Sequence, residues 1–337
     1  MQTKSSKLKS IQVLSLFDGI SCCKLGLEKN NTPIDNYYSS EICKDAISIQ
    51  NHNFGSNPNF HQIGDVRQIN GADFANIDLI CAGSPCTQLS AINSKDRSGL
   101  EGSESSLFFE FSRIIGEIKS NRTTNKPLYV LLENVWSMGN SEKNKITQAL
   151  SEVMGEKINP IYLDSESLAP CHRRRYYWTN IPNIPQIVPN ASIYQDCVVN
   201  GYVDKDKANV LLSSNLTLTH GIQRYYKMNI GNIIFKHKEF AELSKEEKLK
   251  RYPDILKKSN YNWKENRNKN LEYDFPNGCY RIPSVLECER FMTIPDGHVS
   301  NVEGVSKSAK YKAIGLSMTV DIIAHILSPL NELLGHE

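Results

Sequence analysis

The stretch Asp78-Leu79-Ile80-Cys81-Ala82-Gly83-Ser84-Pro85-Cys86-Thr87-Gln88-Leu89-Ser90 is an apolar run that ends in Gly-Ser-Pro, with a cysteine directly after it. A short continuous apolar run bounded by glycine and proline reads as a strand buried on both faces of a parallel sheet. Open α/β sheets bind their ligands outside the carboxyl ends of the strands. This strand would therefore deliver the Cys86 thiol to a substrate-facing rim. Pro85 fixes its own φ and has no N–H, which sets the angle at which the chain leaves the sheet. Position alone does not make Cys86 a nucleophile, because free cysteines are mostly small buried hydrophobes and this chain has nine.

Toward the N-terminus the same grammar repeats. Ile11 to Phe17 is apolar and β-prone, Asp18-Gly19-Ile20-Ser21 breaks it, and Cys22 to Lys29 has the texture of a helix. Gly19, lacking a Cβ, lets the turn approach a ligand closely. No G-x-G-x-x-G is present, so a dinucleotide pyrophosphate site has little support. Tyr37-Tyr38-Ser39-Ser40 ends at Glu41, followed by a helical segment from Ile42 to Asn51. Glu41 lies 22 residues after Gly19, where an acid at the end of the second strand can accept from ribose hydroxyls. Phe60 to Ile63 then ends at Gly64-Asp65-Val66, where Asp65 could accept from an adenine amino group. Each acid taken singly fits a helix N-cap, but three in register at successive strand ends fit that explanation less well. Carboxylates at all three turns would repel phosphates. The pattern suits a nucleoside with a neutral or cationic tail, such as S-adenosylmethionine.

Toward the C-terminus, Leu107, Phe108, Phe111, Ile114, Ile115 and Ile118 repeat at helical spacing across Ser105 to Lys119, a stripe expected in the core. A fifth strand, Leu128 to Leu132, ends at Glu133-Asn134-Val135 and places a carboxylate one strand from the thiol. Ile146 to Met154 reads as helix and Ile158 to Leu163 as a sixth strand. Cys171-His172-Arg173-Arg174-Arg175-Tyr176-Tyr177-Trp178 sets three arginines against an aromatic strand. Alternation puts Arg173 and Arg175 on one face and Arg174 on the other. Charges on so apolar a strand need partners.

Pro182 to Pro189 is punctuated by prolines and marks a boundary. Beyond it strands shorten (Val210-Leu211-Leu212, Leu216 to Thr219, Asn232 to Phe235), and a capping box at Ser244 and Glu247 opens a helix. From Gly201 to Arg281 there are 16 Lys and Arg against 10 Asp and Glu, with Tyr261, Trp263, Tyr273 and Phe275 interleaved, a composition suited to nucleic acid or to a solvated helix surface. Val285 to Met292 reads as a helix carrying Glu287 and Arg290. Lys312 to Leu327 reads as a helical tail with Gly315-Leu316-Ser317 at its entry, docking back on the large sheet. The expected domains are therefore 1–182, 183–281 and a return over 282–337.

The formal net charge of +2 says nothing by itself about polyanions. The nine cysteines include no C-x-x-C pair, which argues against structural zinc, and their odd number in a chain of 337 residues argues against a secreted disulfide framework. No apolar run reaches membrane-spanning length and Met1 to Ser10 lacks a signal sequence. A cytoplasmic protein without metal or membrane partner is expected, with a monomer as the default.

The ordered blocks Phe17-Asp18-Gly19, Glu41, Gly64-Asp65, Ser84-Pro85-Cys86, Glu133-Asn134-Val135, Arg173-x-Arg175 and Gly315-x-Ser317 closely resemble the cytosine-C5 DNA methyltransferases over almost the whole chain except roughly 183–280. Local wording, such as Val13 to Ile20, Gly64-Asp65-Val66-Arg67 and Leu107-Phe108-Phe109-Glu110-Phe111, is most similar to the catalytic domain of the animal de novo enzymes. A free-standing unit of this size looks more like a bacterial or phage enzyme. The resemblance implies a Rossmann-like α/β sheet of the S-adenosylmethionine-dependent kind with a smaller target-recognition domain. It implies that Cys86 adds to C6 of a flipped cytosine in duplex DNA and that Glu133 holds N3 and the exocyclic amine. Of Arg173 and Arg175, it implies that one contacts the base and the other orients Glu133 or the cysteine loop, without saying which. Cofactor positions carry over to Phe17, Asp18, Gly19, Ile20, Glu41, Ile42, Asp65, Val66, Gly83, Leu107 and Ser317, and DNA contacts are expected at Ser90, Thr217, Thr219, Arg224 and Lys227. Thr87, Leu316 and Met318 depart from common family wording. The competing expectations are a tRNA cytosine-5 methyltransferase and a catalytically silent DNA-binding scaffold on the same fold.

Overall fold

The structure, a computed structural model, describes residues 8–84, 107–211, 225–226, 229–251 and 280–335. Its backbone forms two compact units. The first draws on Met1–Asp164, Arg174–Ile187 and Val320–Glu337, the second on Ser165–Arg173 and Val188–Thr319. This division differs from the expected one in two places. Ser165–Arg173 groups with the second unit, and only the chain from Val320 onward, not from residue 282, groups with the first.

The first unit is a seven-stranded sheet. Its elements are β1 (Ile11–Leu16), α1 (Cys22–Lys29), β2 (Ile34–Ser40), α2 (Lys44–Phe54), β3 (Phe60–Gln62), β4 (Leu79–Gly83), α3 (Phe108–Asn121), β5 (Tyr129–Val135), α4 (Asn140–Met154), β6 (Pro160–Asp164) and β7 (Arg174–Thr179). The strand order is β3-β2-β1-β4-β5-β7-β6. Pairing is parallel from β3 through β5, whereas β7 runs antiparallel to both β5 and β6. The strand order reverses between β1 and β4, the point where doubly wound sheets bind ligands. No helix among the described residues is long and apolar enough to cross a membrane.

The sequence explains the layering. All seven residues of β5 are buried, as expected of a central strand covered on both faces. Ile80 and Ala82 of β4 pack in one cluster with Phe111, Ile114, Ile115 and Ile118 of α3 and with Ile146 and Leu150 of α4. Cys81 points the other way and meets Cys23 of α1, Sγ to Sγ 2.6 Å, so α1 covers the opposite face. There α1 packs on the helix Val320–Leu327. Gly26 makes that approach possible, because a Cβ at this position would lie 2.8 Å from Ile323 Cγ2.

The second unit has short elements around a small core of Tyr225, Tyr226, Ile233, Phe235, Ala241 and Tyr280. Two buried charge pairs stand in it. Arg281 and Glu287 form a bidentate contact, 2.7 Å at each oxygen, and Asp204 accepts from Lys248 Nζ at 2.8 Å and from Tyr225 Oη at 2.6 Å. The helix Lys245–Arg251 begins with the expected reciprocal bonds between Ser244 and Glu247. Two expectations need correction. Gly315-Leu316-Ser317 closes the helix Lys307–Leu316 and does not open one, since Ser317 is its C-cap and a separate helix starts at Val320. Val210 and Leu211 are not in a strand.

Candidate active site

The carboxyl ends of β1 to β5 gather most of the expected site residues of the first unit. β1 is followed by a strained turn. Phe17 and Ser21 are at φ +53° and +65° and Gly19 at +58°, the left-handed region that is unfavourable for side chains other than glycine. The Gly19 N–H donates to Glu41 Oε2 at 2.8 Å, and Glu41 Oε1 accepts the N–H groups of Ile42 and Cys43, each at 2.8 Å. Glu41 thus clamps the first turn to the second and orients its own carboxylate. Ile42 beside it is 64% exposed, an apolar surface at a rim otherwise built of polar groups.

Asp18 takes a different place from the one expected of a ligand-facing acid. It is buried, and its carboxylate accepts from Ser15 Oγ, Ser21 Oγ, Tyr37 Oη, Ser39 Oγ and Gln50 Nε2 at 2.5 to 3.0 Å. Burial pushes its pKa up against the pull of the hydroxyl donors. Asp65 caps the turn Val66–Gln68 by accepting the Arg67 N–H at 3.0 Å. The Arg67 guanidinium also grips its carboxylate, which holds the acid below the usual carboxylate range. Ile20 and Val66 are buried, while Leu107 and Phe17 pack at the edge of the core.

At the other side of the switch point, Gly83 of β4 and Glu133 of β5 are register partners. One residue on, Asn134 Nδ2 donates to Ser84 Oγ at 2.9 Å and Asn134 Oδ1 accepts the Val135 N–H at 2.7 Å. Both Asn134 and Ser84 are buried. Arg175 of β7 reaches Glu133, Nε to Oε1 2.5 Å. The structure thus separates the three arginines. Arg174 lies on the other face and pairs with Asp164 at 3.0 Å. Arg173 lies outside β7, so strand alternation does not place it beside Arg175. It belongs to the second unit, where its Nη1 donates to the Gly315 carbonyl at 3.2 Å. Ser317, also in the second unit, donates to the Ile314 carbonyl at 2.8 Å. Cys86, Ser90, Thr217, Thr219, Arg224 and Lys227 lie outside the described residues.

The sequence reading missed Asn134 as a latch, and it missed Gln50 and Gln62, whose amides stand behind the turns of β1 and β3. A buried amide in a helix that otherwise reads as amphipathic is a weak signal, because glutamine is ordinarily a surface residue.

The two glycine turns leave open space where a ligand would approach. A Cβ at Gly19 or Gly64 would meet nothing within 4 Å. The described residues thus bring together parallel strands, a switch-point rim, carboxylates at its turns and a buried acid–cation pair. Residues 11–332 match the family model described as C-5 cytosine-specific DNA methylase, and the chain belongs to that family. Among curated proteins it is similar to the type II methyltransferase M.HhaI of Haemophilus parahaemolyticus, 30% identical over 46% of this chain and 43% of that one. It is also similar to M.NlaX of Neisseria lactamica, at 28% over 58% and 61%, and to the orphan methyltransferase M.Rho11sI of Bacillus phage rho11s, at 28% over 68% and 41%. The matched stretches span about two fifths to three fifths of these relatives' own lengths. Among solved structures, the fold is shared with the Entamoeba histolytica methyltransferase EhMeth, with a TM-score of 0.65 at 16% identity over 97% of this chain and 98% of that one. The S. pombe Dnmt2 methyltransferase shares it too, with a TM-score of 0.66 at 17% identity over 96% and 98%.

Proposed function

We propose that this chain is a DNA (cytosine-5)-methyltransferase that takes its methyl group from S-adenosylmethionine and acts on a cytosine flipped out of duplex DNA. The observation that carries the reading is the buried Glu133–Arg175 pair at the end of β5, beside Gly83 and tied through Asn134 to Ser84, two residues before Cys86.

The first unit fits the donor. Glu41 presents a fixed carboxylate for ribose hydroxyls, Ile42 an apolar surface, and Gly19 and Gly64 an open approach. The Glu41 carboxylate disfavours a phosphate tail beside it. When bound, the sulfonium supplies an electrophilic methyl group.

The rest of the chemistry belongs to the chain. Cytosine C5 is a poor nucleophile. Cys86, as thiolate, forms a bond to C6, and the displaced ring electron pair makes C5 enamine-like. A proton held between Glu133 and N3, with the exocyclic amine donating to the same acid, neutralises the negative charge that builds on the ring. Arg175 keeps the Glu133 carboxylate in place. After methylation the C5 proton leaves to a base, the C5–C6 double bond re-forms and the thiolate departs. Residues 183–281, basic and aromatic, serve as the recognition domain for duplex DNA.

The experiment is transfer of labelled methyl from S-adenosylmethionine to mixed-sequence duplex DNA and to bulk tRNA, for wild type and Cys86→Ala. Label recovered in DNA as 5-methylcytosine, and lost in Cys86→Ala, is the expected result. Label in tRNA alone moves the substrate to RNA. No label in either, with duplex still bound, replaces the enzyme reading with that of a scaffold.

A further inference from the structure

Three turns at the ends of β1, β2 and β3 are joined by a closed ring of hydrogen bonds. The Gly19 N–H donates to Glu41 Oε2 at 2.8 Å. Ser40, next to Glu41 in the chain, donates through Oγ to the Gly64 carbonyl at 2.7 Å. The Gly64 N–H donates to Gln62 Oε1 at 2.8 Å, and Gln62 Nε2 donates to Gln50 Oε1 at 2.9 Å. Gln50 Nε2 returns to the Gly19 carbonyl at 2.9 Å. The N–H and the C=O of both glycines are thereby fixed, and these are the glycines at φ +58° and +79° with open space beside them.

The ring has a direction, and Asp18 sets it. A carboxylate only accepts hydrogen bonds. Gln50 must turn its NH2 toward Asp18 Oδ2, 3.0 Å away, which turns its Oε1 toward Gln62. Gln62 must then offer its own NH2 to Gln50, which leaves its Oε1 to receive the Gly64 N–H. Reversing either amide would set oxygen against oxygen at one end. The buried acid of the first turn thus reaches the third turn through two amides.

We propose that Gln50 and Gln62 are positioning residues that hold the Gly19 and Gly64 turns at one spacing and so set the affinity for the nucleoside half of the methyl donor. This rests on the cofactor reading above and deepens it. Neither residue needs to touch the donor. Each acts through a peptide group whose orientation decides whether a backbone atom is in reach of the ligand.

The test is calorimetric titration of the full chain with S-adenosylmethionine in the absence of DNA, alongside ligand-free melting and the turnover rate at saturating donor. The variants are Gln62→Met, which keeps the shape and removes both bonds, Ser40→Ala, which releases the Gly64 carbonyl, and the two combined. Each single variant should weaken donor binding by about tenfold, as loss of a buried hydrogen bond worth roughly 1.4 kcal/mol would. Turnover at saturating donor should stay within about twofold, since the loss is in binding. The double variant should be no weaker than about the worse single one, because both act by freeing the same glycine. Unchanged affinity with lowered melting temperature overturns the proposal and leaves the cofactor reading intact. Fully additive effects overturn the ring. Failure of the wild type to bind the donor at all overturns the cofactor reading and this proposal with it.

Discussion

Arg175 Nε lies 2.5 Å from Glu133 Oε1 across the junction of β5 and β7, and the two side chains are only 12% and 10% exposed. Removing one partner of such a pair leaves an uncompensated charge in low dielectric, which costs about 3–5 kcal/mol. Arg175→Met should therefore lower stability by roughly that amount in urea denaturation and reduce the chemical step by about 10²-fold or more. Glu133→Gln leaves the Arg175 guanidinium unpaired in turn and should cost a similar amount of stability, with a similar loss of turnover. Turnover near that of wild type in Glu133→Gln would count against a chemical role for the acid.

The Asn134–Ser84 latch gives a separable prediction. Ser84→Ala leaves the buried Asn134 amide without that acceptor, at a cost of about 1–3 kcal/mol. Turnover should fall while DNA affinity holds, because the contact holds Ser84, two residues before Cys86 in the chain. Gel-shift affinity measured beside single-turnover methylation reads the two apart.

Glycine substitutions should sort by location. Gly19→Ala and Gly64→Ala force a side chain into the left-handed region, costing about 1–2 kcal/mol, and set a methyl group in the open approach. Donor affinity should fall in both. Gly26→Ala instead drives a methyl group against Ile323 and should cost about 1–3 kcal/mol of stability as overpacking does, with donor affinity unchanged. Calorimetric titration and thermal melting on the three variants check this.

The two acids of the outer turns should respond to pH with opposite sign. Asp65 is held low by Arg67, so its contribution is present above the unfolded value of about 3.9 and fades as pH falls through the lower folded value. Asp18 is pushed up by burial, so the folded state binds its proton more tightly and its contribution falls as pH rises through the raised value. Denaturation midpoints between about pH 3 and 6 should show the gap between wild type and Asp65→Asn widening with pH, and the gap to Asp18→Asn narrowing.

Much of this site is readable from residues alone. The glycine turn after β1, Glu41 at the end of β2 and Glu133 at the end of β5 follow from apolar runs broken by acids and glycines, because strand ends of a parallel sheet are where such breaks fall. The arginines were only half readable. Alternation separates Arg174 from Arg175, but it cannot show that Arg173 leaves the strand for the Gly315 carbonyl. Asp18 reads as a ligand acid in the sequence because its hydroxyl donors lie on three separate segments of chain, β1, the turn before α1 and β2. Gln50 carries only a weak signal and Gln62 none, since partners such as peptide groups and other amides are marked by no spacing rule.

The reversed strand has a further consequence. A parallel strand brings its last residues to the carboxyl rim and its first residues to the opposite edge. β7 runs backward, so its opening residues arrive where the other strands depart. Arg175, second in its strand, stands opposite Val135, the last residue of β5. Five strands, β1 to β5, bring site groups to the rim on their way out and β7 does so on its way in. The cation therefore comes from the start of a strand, directly after the segment Ser165–Arg173, and the acid it meets comes from near the end of one.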